Sequence, residues 1–185
     1  PQQNAITLYG QRRIGKTSVL QSLHTLLPKE GNYLPVFFDL EDKAALPMAQ
    51  VLSELARVMA HELGLPTPEL GNDPESAFKR QWIPGLLASI PVKSSIVLLF
   101  DEFDVLADPK AGSAAAAFFP YLKDLLALDR VRLQFVFVLG RSPNDLSSIA
   151  LSVFKGIGSQ RISLLSRENA EKLIRLSERD KSLLW

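Results

Sequence analysis

The chain has 185 residues, 46% apolar and 22% charged, which is material for one globular core. Lysine and arginine total 21 against 20 aspartates and glutamates, so no net charge draws the chain to nucleic acid or a membrane surface. The absence of cysteine excludes a disulfide framework, a thiolate metal site and a thiol nucleophile, and suits a reducing, cytoplasmic setting.

No apolar run nears the roughly 20 residues a membrane span requires, and no basic and apolar leader opens the chain. Strand-like and helix-like segments alternate, which predicts an α/β fold with a parallel sheet wrapped by helices. Residues 5–9 (AITLY) read as a short strand. From Lys16, the apolar residues Val19, Leu20, Leu23, Leu26 and Leu27 recur at helical spacing, with Pro28 and Gly31 predicted to stop the helix. Residues 34–40 (LPVFFDL) form a second strand, Pro35 at its entrance. A helix over 47–63 carries Val51, Leu52, Leu55, Val58, Met59 and Leu63. After a Pro/Gly-rich loop (64–76), a helix with Phe78, Trp82, Leu86 and Leu87 is expected to break near Pro84–Gly85.

Residues 94–102 (SSIVLLFDE) are a third strand, apolar throughout and therefore central. A DPKAGS loop, a helix over 114–128 and a fourth strand over 131–140 follow. Residues 144–158 read as irregular or weakly helical, and 160–165 (QRISLL) as a short fifth strand. Ser166 opens a last helix through an approximate capping box, with Asn169 where Glu or Gln is usual. The start at Pro1, just ahead of a strand, and the end at Trp185 read as those of a piece of a longer chain. Residues 1–165 are expected to be the core and 166–185 the start of a helical lid.

Gly10, Gln11, Arg12, Arg13, Ile14, Gly15, Lys16 and Thr17 satisfy G-x-x-x-x-G-K-[ST] completely. Gly10 and Gly15 permit backbone angles and close approaches that a β-carbon forbids. Successive amides, on through Ser18, can then cradle a phosphate at the positive end of the following helix. Lys16 can reach β- and γ-oxygens, and the Thr17 hydroxyl suits Mg²⁺. A chance match is set aside because the loop follows a strand and opens a helix, the context the motif requires. ATP with Mg²⁺ is the expected ligand.

Asp101 and Glu102 end the third strand, on the sheet edge that the phosphate loop shares. Asp101 suits the metal shell, and Glu102 suits polarising an attacking water. An acidic pair beyond a strand is often a solvated helix start; beside an intact phosphate loop it reads as catalytic. The strand lying between the two motifs predicts a sheet ordered 5-1-4-3-2, within a P-loop three-layer sandwich. That order brings the end of the fourth strand beside the γ-phosphate. Arg141 there is a sensor candidate, with an ordinary surface arginine the alternative. Asp104 reads as a helix N-cap or surface charge. Asp39 can serve the active edge or cap a helix. Arg12 and Arg13 point away from the cradle in most such loops, and His24 and His61 lack metal-ligand spacing.

With these segments in hand, LYGQRRIGKTSVLQSL, PVFFDLED, VLLFDEFDVL, FVFVLGR and ISLLSRENAEKLI resemble the STAND branch of AAA-type ATPases, over about residues 5 to 176. The double arginine inside the phosphate loop is the most specific part. The resemblance implies an ATPase core followed by a lid and further domains, acting as a nucleotide-driven signalling switch that changes assembly state, as a homo-oligomer on activation. It also implies a GRE segment upstream and a GxP lid element downstream. The partners expected are ATP or ADP and other domains of the parent chain, with no membrane, and the charge balance argues against nucleic acid. A loader or motor ATPase acting on DNA is the second reading. A nucleotide-gated scaffold without turnover is the third.

Overall fold

The computed structural model describes residues 4–107, 112–164 and 166–172. Five strands form one sheet: β1 (Ala5–Tyr9), β2 (Tyr33–Asp39), β3 (Ser95–Asp101), β4 (Leu133–Leu139) and β5 (Gly158–Arg161). Their order is β2-β3-β4-β1-β5 and every neighbouring pair is parallel. From the other edge this is the predicted 5-1-4-3-2. α1 (Lys16–Glu30), α2 (Met48–Glu62), α3 (Pro74–Ala77), α4 (Ile83–Ser89), α5 (Gly112–Leu128) and α6 (Ser148–Phe154) connect the strands.

The two-residue period of a strand divides each central one between two cores. On β3, Ile96, Leu98 and Phe100 face the larger core, while Val97 and Leu99 face the smaller. On β4, Leu133, Phe135, Phe137 and Leu139 face the larger, and Val136 and Val138 the smaller. α2, α4, α5 and α6 close the larger core, and α1 covers the other face through Leu20. These are the three layers of the expected sandwich.

Three boundaries differ from expectation. Pro28 does not stop α1, which runs to Glu30. It lies in the exposed last turn, so the one hydrogen bond its ring removes leaves a carbonyl within reach of water. The break near Pro84 takes the form of a wider turn over Phe78–Trp82, where the Ile83 amide donates to the Phe78 carbonyl five residues back. The fifth strand is Gly158–Arg161, earlier than 160–165. It is an exposed edge strand with no apolar alternation to mark it, and the apolar ISLL that drew the assignment begins as the strand ends.

Within 144–158 the weak helix signal resolves into a short turn over Pro143–Asp145 and then α6. Residues 167–172 are helical, and Ser166 Oγ accepts from the Asn169 amide at 3.2 Å. The remainder of the expected lid, from residue 173, and residues 108–111 of the DPKAGS loop lie outside the described residues. Among the described residues no helix is long and apolar enough to cross a membrane.

Candidate functional site

β1 ends at Tyr9, paired with Leu139 on one side and Arg161 on the other, so the chain leaves the sheet between the ends of β4 and β5. The Gly10 amide donates to the Leu139 carbonyl at 3.3 Å. A β-carbon at Gly10 would stand 2.5 Å from the Ile162 carbonyl oxygen and 3.2 Å from Ile14 Cγ2. This glycine is therefore required by the chain that leaves β5, in addition to any ligand. Gly15 differs: a β-carbon there meets nothing within 4 Å, but its φ of 95° lies in the left-handed region. Arg13, at φ 61°, is left-handed too. Such reversals are the backbone pattern from which anion nests are made, and they stand here just ahead of α1. No acidic side chain in the first turn of α1 competes for its positive end.

Lys16 is 5% exposed, and its Nζ donates to the Gln11 carbonyl at 3.0 Å, bracing the loop from within. Gln11, Arg12, Arg13, Thr17 and Ser18 remain exposed, so the rim of the loop faces solvent.

Asp39 and Asp101 are register partners at the ends of β2 and β3. Asp101 is 2% exposed, and its Oδ1 accepts from the Glu102 amide at 2.9 Å. Glu102 has a φ of 47°, a left-handed conformation costing a non-glycine residue about 1–3 kcal/mol. The next residue holds it there. Phe103 is fully buried, its ring centroid 4.8 Å from Phe137, 5.7 Å from Phe100 and 5.8 Å from both Phe119 and Phe154. This packing turns the chain sharply out of β3 and aims Glu102 at the sheet edge. Burial, then the Asp104 carboxylate, pushes the Glu102 carboxyl above the usual carboxylate range; Lys16 opposes, Asp101 adds, and Arg12 opposes. Because β1, β4 and β3 run parallel, the glycine loop that leaves β1 and the acidic turn that leaves β3 lie at one edge of the sheet, and Lys16 and Arg12 there act on Glu102.

Among the described residues Asp104 caps no helix, and it is not a free surface charge. Its Oδ1 accepts from the Gly140 amide at 2.8 Å, and its Oδ2 stands 3.5 Å from Arg141 Nε. Arg141 is thus at the predicted edge, but in an ion pair. The local sequence could not reveal this, because the ion-pair partners are 37 residues apart. Asp39 caps no helix: its Oδ1 accepts from the Glu41 amide at 2.9 Å, closing a local turn, while α2 begins at Met48. His24 Nε2 stands 3.4 Å from Glu62 Oε2, and His61 is exposed.

Among the described residues, two cavities flank the loop. One, of about 350 Å³, is lined by Tyr9, Gly10, Gln11, Gly140, Arg141, Ser142 and Arg161. The other, of about 260 Å³, has Ile14, Ile162 and Leu164 as apolar walls beside Gln11, Arg161 and Ser163. Arg161 borders both. It escaped the sequence reading because a strand drawn over 160–165 puts it at the opposite end of the sheet.

The residues present fit magnesium bound with a phosphate ligand. An exposed threonine hydroxyl and a buried carboxylate are hard oxygen donors too few to hold the ion alone. Among the described residues no group of three or more His, Cys, Asp or Glu forms a cage for a metal.

The family described as the AAA domain matches residues 1–146. The chain belongs to the AAA domain family. No curated protein matches it in sequence. Among solved structures, this AAA domain is similar to AMPPCP-bound DnaA from Aquifex aeolicus, at 20% identity and a TM-score of 0.54, over 97% of this chain and 46% of that one. It is similar to Drosophila ORC bound to DNA, at 16% identity and a TM-score of 0.63, over 96% of this chain and 42% of that one. A Walker-type ATPase of Pyrococcus abyssi, at 13% identity, matches with a TM-score of 0.64 over 98% of this chain and 55% of that one. At such identities the likeness is one of fold, and the AAA domain spans about half the length of these chains. The expectation against nucleic acid rests on the near-neutral charge and on the sequence showing no basic stripe or winged helix, and the fold lends it no support.

Proposed function

We propose that this AAA domain binds Mg²⁺·ATP at the edge formed by Gly10–Ser18, Asp101, Glu102 and Arg141, and hydrolyses it slowly. One observation carries the reading: Glu102, held in a strained turn, lies within electrostatic reach of buried Lys16. The amides of Gln11 to Ser18 would cradle the phosphates, with Lys16 exchanging its bond to the Gln11 carbonyl for phosphate oxygens. Thr17 and Asp101 would hold Mg²⁺, which supplies neutralisation of phosphate charge. Glu102 would orient the attacking water and accept its proton, a task its raised proton affinity favours. Arg141 would meet the γ-phosphate, and the apolar walls of Ile14, Ile162 and Leu164 suit a nucleobase.

In the wider chain this module acts as a STAND-type signalling switch that assembles on activation, with residues from 166 onward beginning a lid. The double arginine of the loop supports that placement. A DNA-acting loader is the second reading, favoured by the fold shared with Drosophila ORC bound to DNA.

ATP binding and turnover are to be measured in the wild type, Lys16→Ala and Glu102→Gln. Lys16→Ala loses binding, whereas Glu102→Gln retains binding and loses turnover. Turnover in Glu102→Gln equal to wild type removes Glu102 as the base. Turnover stimulated by duplex DNA promotes the loader reading over the switch.

A further inference from the structure

We propose that Asp104 is a positioning residue that holds Arg141 at the phosphate edge; this rests on the reading above, in which Arg141 serves the γ-phosphate. Asp104 lies in the short helical turn Phe103–Ala107 that follows Glu102, and its side chain is only 15% exposed. It presents three acceptors to two consecutive residues at the end of β4. Oδ1 accepts from the Gly140 amide at 2.8 Å. Oδ2 stands 3.5 Å from Arg141 Nε. Its own carbonyl accepts from Arg141 Nη2 at 3.3 Å.

Glycine at 140 leaves room for the carboxylate: a β-carbon there would stand 3.2 Å from Oδ2, which would have to give by a few tenths of an ångström. The same aspartate thus ties the turn carrying Glu102 to the strand end carrying Arg141.

A tie between strand ends needs the Gly140 amide alone. The two further contacts go to a guanidinium that lines the cavity beside Gly10 and Gln11. An arginine has many rotamers, and one fixed in advance loses less freedom when it meets an anion. The contacts engage Nε and one Nη, leaving most of the guanidinium donors for a phosphate. Asp104 therefore acts through Arg141 and touches no reacting atom. Its loss should lower kcat and leave nucleotide affinity nearly intact.

The test compares wild type, Asp104→Ala, Asp104→Asn, Arg141→Ala and the Asp104→Ala/Arg141→Ala double variant in the full chain. Asp104→Ala should lose roughly 10- to 100-fold in kcat, the scale of a misplaced reacting group, with the Kd for ATP within about twofold. Asp104→Asn keeps an acceptor for Gly140 and loses the charge facing Arg141, so it should fall between, and it carries the comparison if Asp104→Ala does not fold. The double variant should match Arg141→Ala. An unchanged kcat in both Asp104 variants, or losses that multiply in the double variant, overturns the proposal.

A second readout needs no turnover. The Arg141 Nε–H signal in NMR should be ordered in the wild type and motionally averaged in Asp104→Asn. A wild type that turns over no ATP defeats the ATPase reading, while this signal still decides whether Asp104 positions Arg141. An Arg141 signal unaffected by the substitution sinks the inference and leaves the ATPase reading standing.

Discussion

Gly10→Ala separates a glycine required by its neighbours from one required by its backbone angle. The added β-carbon would stand 2.5 Å from the Ile162 carbonyl oxygen. Restoring an ordinary carbon–oxygen separation of about 3.3 Å demands a displacement of roughly 0.8 Å. Both backbones are tied, Gly10 to the Leu139 carbonyl at 3.3 Å and Ile162 to the Tyr9 carbonyl at 2.7 Å. A shift of that size stretches one of these bonds beyond use, a loss of about 0.5–1.5 kcal/mol. Overpacking adds about 1–3 kcal/mol. A total near 2–4 kcal/mol corresponds to a fall in Tm of roughly 4–16 °C in a chain of this size. Thermal unfolding by circular dichroism reads it, with Gly15→Ala as the contrast. Gly15 has no neighbour within 4 Å of the new carbon, so only its left-handed φ is penalised, by about 1–2 kcal/mol. Adding Ile14→Ala relieves the 3.2 Å contact but not the carbonyl clash, and should not rescue Gly10→Ala. A Gly10→Ala melt that coincides with wild type, or rescue by Ile14→Ala, would refute the reasoning.

Phe103→Ala should cost about 3–5 kcal/mol, read as a lowered urea midpoint, because the ring fills the centre of the aromatic cluster. A loss under about 1 kcal/mol would remove that cluster as the anchor of the Glu102 turn. Arg13→Gly removes a left-handed penalty of about 1–2 kcal/mol and adds unfolded-chain entropy worth about 0.4–1 kcal/mol, so the urea midpoint should rise slightly. A lowered midpoint contradicts the assigned backbone. The Tyr121 hydroxyl donates to the Glu75 carbonyl at 2.7 Å, and its pKa is raised by burial first and by Glu75 second. The folded state therefore holds this proton more tightly than the unfolded chain. The resulting stability is full below the ordinary value of 10.0 and fades as pH rises above it. Tyr121→Phe should cost about 0.5–1.5 kcal/mol at neutral pH and flatten the alkaline decline; an unchanged alkaline slope would count against the assignment.

The phosphate loop was legible because its chemistry is local: a handful of consecutive residues set the left-handed turns, the amides and the lysine. The strand order was legible too, since the apolar run of β3 marked it as central and the extra strand lying between the two motifs led to the order 5-1-4-3-2. β5 was not. It is an exposed edge strand, and the apolar residues after it outweighed the polar ones within it. That shift hid Arg161, which belongs at the same edge as the loop. Asp104 was misjudged for a different reason: its partners Gly140 and Arg141 come from another strand.

Residues close in sequence thus determined by themselves which backbone can surround an anion and which strands run through the centre. Only the tertiary structure decided that Gly10 is also a spacer for the chain leaving β5, that Glu102 is strained over a buried phenylalanine, and that Asp104 answers to Arg141. Short-range conformational preference is written into neighbouring residues. Contacts between strand ends depend on register, and one residue of slip carries a side chain to the opposite face.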